Sequence, residues 1–210
     1  MNFMTRISGA AAIGVAMLMG YGLSPPAAQA AYVVTLDQVG SNVVANGSGT
    51  LNTTDLLLFS TGSTLAHILP SFPVVATGPT SFTPADVYSG TTPFPVFGTG
   101  PGGNATSGSG DIVSATRETP TAGELFVPRG YKSGNPLLDT ATYNDATFTS
   151  LGVTPGTYVA TWGSGANADS FTLQIGPAAA VPEPSSFLLL GVALTGLLLV
   201  RARRRSPDVG

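Results

Sequence analysis

His67 is the only histidine in the chain, and with one of the many serines and an acid it would supply a Ser-His-Asp arrangement. It stands in Leu65-Ala66-His67-Ile68-Leu69, an apolar stretch with no nucleophile-elbow motif nearby, so a packed or surface histidine is expected instead. Asp111, Glu118 and Glu124 are available for glycoside hydrolysis, which needs two carboxylates across a cleft. Acids on a β surface are ordinarily solvated, and sequence spacing does not bring these three together. Gly98-x-Gly100-x-x-Gly103 has the form of a dinucleotide fingerprint, in which glycines let backbone approach a pyrophosphate at a helix N-terminus. Pro101 and further glycines follow with no apolar helix, so a flexible surface loop over Phe97 to Gly110 is the expectation. Arg129, between Pro128 and Gly130-Tyr131, either pairs with an acid such as Glu124 or Glu118 or meets a partner's anionic group; a structural pair is favoured. Asn46-Gly-Ser, Asn52-Thr-Thr and Asn104-Ala-Thr are acceptor-like sequons that a Ser/Thr/Asn-rich chain also produces by chance.

Composition narrows the chemistry further. With no Cys there is no disulfide framework, thiolate zinc site or Cys nucleophile, and one His excludes a multi-His metal centre. No Asp-rich loop has calcium-ligand spacing, so neither metal nor cofactor is expected. The 8 Lys+Arg against 11 Asp+Glu exclude a nucleic-acid binder that works by neutralising phosphate. Five of the basic residues lie at the two ends: Arg6, Arg201, Arg203, Arg204 and Arg205. Within residues 31–176 only Arg117, Arg129 and Lys132 face nine acids, a balance of −6.

Period-2 alternation marks the elements that must position these groups. Tyr158, Ala160, Trp162 and Phe171, Leu173, Ile175 predict a hairpin across the Gly163–Asp169 loop. Tyr32–Val39 and Asn42–Leu51 predict another around Gly40-Ser41. Thr142–Phe148 is a further strand candidate, before a Pro155-Gly156 turn, and Leu56–Phe59 and Ile112–Ala115 are shorter ones. The two helix signals are Thr64–Leu69 before Pro70, and Pro84–Val87 with proline at a helix start. Trp162 is expected in the core. The fold class is all-β: an antiparallel β-sandwich of jelly-roll or Ig-like kind over residues 31–176, plus one C-terminal transmembrane helix.

The ends read as addresses. Residues 1–30 have the form of a secretory signal peptide: Arg6, an apolar stretch from Ile7 to Leu23, Pro25-Pro26, then small residues Ala28 and Ala30 at the −3 and −1 positions of a cleavage site. Cleavage there calls for the Sec translocon and signal peptidase. After a linker at 177–181 come Pro182-Glu183-Pro184, an apolar run from Phe187 to Val200, and Arg201, Arg203, Arg204 and Arg205. The run is short for a ~30 Å hydrocarbon core, but arginines snorkel to the headgroups, and basic residues after it place its end on the cytoplasmic side. Two prolines then leave an extended, accessible backbone at the outer membrane surface, as a processing enzyme requires.

This three-part tail, residues 182–205, resembles the PEP-CTERM sorting signal of Gram-negative bacteria. The resemblance implies recognition and removal of the tail by an exosortase-type membrane protease, with transient inner-membrane anchoring and then release to the cell surface or beyond. The segment between the addresses resembles a recurrent group of PEP-CTERM proteins of unassigned function. It does so through Val43-Val44-Ala45 to Gly49-Thr50-Leu51, Phe126-Val127-Pro128-Arg129-Gly130-Tyr131, and Gly156-Thr157-Tyr158 to Phe171. That likeness carries no catalytic residues. The expected function is a non-enzymatic surface or matrix protein; the alternative is a carbohydrate-binding sandwich on extracellular polysaccharide, using aromatics such as Tyr88, Tyr131 and Tyr143.

Overall fold

A computed structural model describes residues 31–176. The strands are β1 (Ala31–Val39), β2 (Asn42–Thr50), β3 (Leu57–Thr64), β4 (His67–Leu69), β5 (Val74–Thr77), β6 (Thr83–Thr91), β7 (Gly103–Asn104), β8 (Ser107–Gly110), β9 (Val113–Thr119), β10 (Ala122–Pro128), β11 (Pro136–Tyr143), β12 (Gly156–Trp162) and β13 (Asp169–Ile175). One four-residue helix, α1 (Phe148–Leu151), precedes β12. Two sheets result, ordered β12-β13-β1-β2-β11-β8 and β3-β6-β10-β9-β5-β4-β7. Pairing is antiparallel except for β1 with β13, which run parallel from Ala31↔Ser170 to Leu36↔Ile175.

Alternation explains which faces meet. Tyr32, Val34 and Leu36 of β1, Val43 and Ala45 of β2, and Phe171, Leu173 and Ile175 of β13 turn inward at every second position. Leu125 and Val127 of β10, with Val75, Val113 and Ala115, do the same from the other sheet, and all join one hydrophobic core. An aromatic row crosses that core. Ring centroids of Tyr32 and Phe171 are 5.4 Å apart, Phe171 and Phe94 5.6 Å, Phe94 and Phe97 5.9 Å, and Phe97 and Tyr158 6.0 Å. The edge-on members of this row place ring edges against ring faces, the favourable quadrupole arrangement. Trp162 lies in the core, as expected.

Both expected hairpins are present. β1 and β2 are joined by Gly40-Ser41 with Gly40 at φ +61, the positive φ that a two-residue type II′ turn requires at its first position. β12 and β13 pair from Gly156↔Ile175 to Trp162↔Asp169.

Four local expectations are corrected. The helix signal at Thr64–Leu69 is the end of β3 and strand β4, which pairs with both β5 and β7. Pro84–Val87 lies within β6, held between β3 and β10. In both places sheet pairing on two sides outweighs a weak local helix preference. The strand expected over Thr142–Phe148 ends at Tyr143, and Phe148 begins α1. There Thr147 accepts from the Ser150 backbone N–H while the Ser150 hydroxyl closes the capping box, and Gly152 ends the turn at φ +68. Finally, Phe97–Gly110 lies largely at the surface but is not a plain loop: Phe97 is fully buried, Gly98 bridges to Val153, and the stretch contains β7 and β8.

The signal peptide, the linker, the sorting tail and the transmembrane helix lie outside the described residues. Among the described residues no helix is long and apolar enough to cross a membrane.

Gly47, on the inward face of β2, has no room for a side chain: a Cβ there would collide with the Tyr32 hydroxyl and the Asp139 carboxylate. Gly47→Ala is therefore expected to cost roughly 1–3 kcal/mol of stability through overpacking. Its outward-facing neighbour bears no such load, and Ser48→Ala is expected to stay within about 0.5 kcal/mol of the parent. Urea unfolding followed through the single tryptophan, Trp162, reads both; equal losses would contradict the packing described.

Candidate functional site: buried carboxylates and the sorting tail

The residues singled out for chemistry are dispersed. His67 on β4 donates from Nδ1 to the Leu65 carbonyl oxygen at 2.8 Å, and among the described residues no serine or acid hydrogen-bonds its ring. Asp111, between β8 and β9, accepts from the Leu138 backbone N–H at 2.9 Å. Glu118 lies toward the far end of β9, seven residues beyond Asp111, and Glu124 is on the neighbouring β10. Burial and then the nearby Glu118 charge raise the Glu124 carboxyl above its usual range.

The glycine fingerprint works on protein backbone instead of a pyrophosphate. Thr99 and Gly100 N–H groups donate to the Gly152 carbonyl at 3.1 and 3.2 Å, and Gly102 N–H to Leu151 at 3.1 Å. The glycines are needed because the Gly98–Gly103 segment packs against the end of α1 with no space for a Cβ at Gly98, Gly100 or Gly152.

Arg129 does form a structural pair, but with neither expected acid. Its Nε lies 4.0 Å from Asp86 Oδ1, and the Gly130 N–H donates to Asp86 Oδ2 at 2.8 Å. The register explains this: Val127 sits opposite Asp86 and the Arg129 N–H donates to the Pro84 carbonyl, so Arg129 is a diagonal neighbour of Asp86 across the strands, while Glu124 lies farther along β10.

Among the tyrosines, Tyr143 is sealed in the core, and burial raises its phenol. Tyr88 and Tyr131 pack partly against that core. Tyr131 accepts from Leu51 N–H at 3.0 Å and donates to the Asn135 carbonyl at 2.7 Å, so its hydroxyl serves the fold. Of the three sequons, Asn46 and Asn104 are exposed. Asn52 is engaged: its side-chain oxygen accepts from Ser133 Oγ and Thr54 N–H, both at 3.0 Å.

Two buried carboxylates did not stand out in the sequence. Asp139 on β11, 2% exposed, accepts a hydrogen bond from the Tyr32 hydroxyl of β1. That hydroxyl also lies 3.4 Å from Thr77 Oγ1 of the opposite sheet, so the group spans both sheets. The other carboxylate oxygen, Oδ1, has no hydrogen-bond partner. Burial is the main reason that the Asp139 carboxyl is pushed up to about 6; the neighbouring Thr77 and Tyr32 hydroxyls oppose that shift, and Asp111 adds to it. Burial, then Asp139, also drives the Tyr32 phenol upward. The second carboxylate, Asp169 at the start of β13, accepts from Asn52 N–H at 2.5 Å and Ser170 N–H at 2.6 Å. The Asn52 carbonyl in turn accepts from Trp162 Nε1 at 2.7 Å. Burial raises Asp169 as well, against those two backbone donors. The signal for Asp139 was its position: in Leu137-x-Asp139-x-Ala141-x-Tyr143 it occupies the inward register.

Among the described residues no group of three or more His, Cys, Asp or Glu side chains gathers as a metal site would require. The sequence-marked processing residues, Ala28 and Ala30, Pro182, Glu183 and Pro184, and Arg201, Arg203, Arg204 and Arg205, lie outside the described residues. Comparison with known families bears on the tail. The model of the PEP-CTERM protein-sorting motif matches residues 180–205. The chain thus carries this sorting motif, which implies export, cell-surface sorting and an exosortase as the processing partner. No curated protein and no solved structure matches the chain.

Because Asp139 is harder to ionise when folded than when unfolded, deprotonation favours the unfolded chain. Its penalty is absent below the unfolded value of 3.8, grows as pH rises toward about 6, and is constant above that. Lowering pH from 7 to 5 is therefore expected to stabilise the domain by about 1 kcal/mol through this group, with Asp169 and Glu124 acting in the same direction. Asp139→Asn is expected to flatten most of that gain in a series of melting curves. A parent whose melting temperature falls over this interval would contradict it.

Proposed function

We propose that the chain is a non-enzymatic surface or matrix protein whose β domain is delivered by two removable addresses. The observation that carries this reading is the sorting motif at 180–205. In the proposed sequence of events the Sec translocon exports the chain, and signal peptidase cuts after Ala30. The run Phe187–Val200 holds it in the inner membrane with Arg201, Arg203, Arg204 and Arg205 on the cytoplasmic side. The exosortase then acts at the extended Pro182-Glu183-Pro184 segment. An anchored substrate stays within reach of a membrane-bound protease, so anchoring supplies the proximity that processing needs.

The domain's polar chemistry supports the non-enzymatic half. His67, Arg129, Asp111, Asp169 and the Gly98–Gly103 segment each make hydrogen bonds or an ion pair within the fold. The domain is proposed to be an immunoglobulin-like or jelly-roll sandwich. The Tyr158 hydroxyl donates to the Thr154 carbonyl four residues upstream at 3.0 Å, as a tyrosine corner does in such sandwiches. Polysaccharide binding through tyrosines has less support, since Tyr143 is buried and the Tyr131 hydroxyl is engaged.

Two altered chains test the sorting half in the native host. The last thirty residues fused to an exported reporter are expected to bring it to the membrane and then to the surface in a shortened form. Deleting Pro182–Pro184 from the full chain is expected to leave it membrane-held at the larger size. If that deletion changed neither size nor location, the reading would fail.

A further inference from the structure

β3 is the outer strand of the seven-stranded sheet. Its inner side pairs with β6, and among the described residues no backbone group bonds its outer side. The other sheet edges are strapped or short. The free side of β12 receives Thr92, whose N–H donates to the Thr161 carbonyl at 2.8 Å while its Oγ1 accepts from Thr161 N–H at 2.8 Å. β8 has four residues, all Ser or Gly, and β7 only two. β3 runs for eight residues, Leu57-Leu58-Phe59-Ser60-Thr61-Gly62-Ser63-Thr64. It contains neither a charge nor a proline, two of the devices that keep an edge strand from pairing, and of the others it has a single bulge, at Phe59. Leu57, Leu58 and Phe59 stand 69%, 52% and 63% exposed, three adjacent large apolar side chains in water.

We infer that this edge pairs with the same edge of a second copy, antiparallel about a two-fold axis. Three observations select that occupant. Read against its own reverse, the strand is complementary to itself: Leu57 falls opposite Thr64, Leu58 opposite Ser63, Phe59 opposite Gly62 and Ser60 opposite Thr61. The large half of each strand covers the small half of the other, and the aromatic ring lies over the glycine, a favourable cross-strand arrangement. Charge permits the contact, because two domains of net −6 meet along a strand that has no charged residue. The area fits a weak, reversible pair. Three partly exposed large side chains per copy, with the strand backbone, bury on the order of 1,000 Å² in total, near the lower limit for specific association. Such a contact is sparse in dilute solution and favoured where many copies share one surface. The bulge at Phe59, where the register against β6 shifts between Leu58 and Ser60, adds local twist to the edge.

The absence of cysteine makes the register testable in the full chain, in the cells that export it. With Leu58→Cys and Ser63→Cys together, mild oxidation is expected to give a reducible dimer of two such chains. Within one chain these positions are about 16 Å apart along the strand, beyond disulfide reach. In the paired copy position 58 meets position 63, so Leu58→Cys alone is expected to give at least tenfold less dimer. Adding Phe59→Lys to the double variant is expected to abolish the cross-link while leaving the melting temperature unchanged, since Phe59 is exposed. The inference is overturned if the double variant stays monomeric, as it would if another segment of the chain covered β3. It is equally overturned if Leu58→Cys alone links as well, if Phe59→Lys has no effect, or if the adduct contains a different protein.

Discussion

The parallel pairing of β1 with β13 is the contact on which the rest of the domain depends. It joins the first described strand to the last, six residue pairs from Ala31↔Ser170 to Leu36↔Ile175, and so closes the domain on itself. Without it the six-stranded sheet divides into a β12–β13 hairpin and a β1-β2-β11-β8 remainder, each with a long unpaired edge. The same register sets Tyr32 beside Phe171, from which the aromatic row runs through Phe94 and Phe97 to Tyr158. Closing so long a loop carries a large entropic cost, offset only by the core that the closed sheet buries. A parallel pair also separates the domain's entry from its exit. Ala31 lies at one end of the pair and Ile175 at the other, about 16–20 Å apart along the strands. Entry and exit of the described chain thus stand at opposite ends of these two strands.

Polar groups brought inside by that closure are committed to holding it. Tyr32, Asp139 and Thr77 link the two sheets, and Gly47 is a glycine because those side chains fill its neighbourhood. Asp169 ties the start of β13 to Asn52, and Asn52 ties the β2–β3 connection to Trp162. Loss of water around Glu124, Asp139 and Asp169 outweighs the hydrogen bonds that the two aspartates accept, so all three carboxyls are raised. This interior arrangement leaves the exposed edge of β3 as a surface feature without a role in the fold. Its lack of charge stands out in a domain whose acids outnumber its bases three to one.

Local signals were legible and long-range ones were not. The strict alternation of Tyr32–Leu36 and Phe171–Ile175 identified strands and their buried faces, and Gly40-Ser41 identified a turn, because each pattern resides within a few residues. The sorting tail was legible for the same reason. β4 and the first half of β6 read as helix because their pairing partners lie in distant segments. The glycine-dense stretch after Phe97 read as a loop, since its packing against Gly152 depends on a turn about fifty residues later. Arg129 found Asp86 through the β6–β10 register, which no spacing along one strand discloses. Asp139 was missed because the strand was read only from Thr142 onward, and its Tyr32 partner required knowing that β1 and β11 both flank β2.

The central claim is that a β domain beginning near Ala31 is delivered and then freed of both terminal addresses. The intact mass of the protein recovered from the cell surface of its native host tests this most directly. A chain that starts at Ala31 and lacks Arg201, Arg203, Arg204 and Arg205 is the expected result. A surface protein whose mass spans Met1 to Gly210 would contradict it.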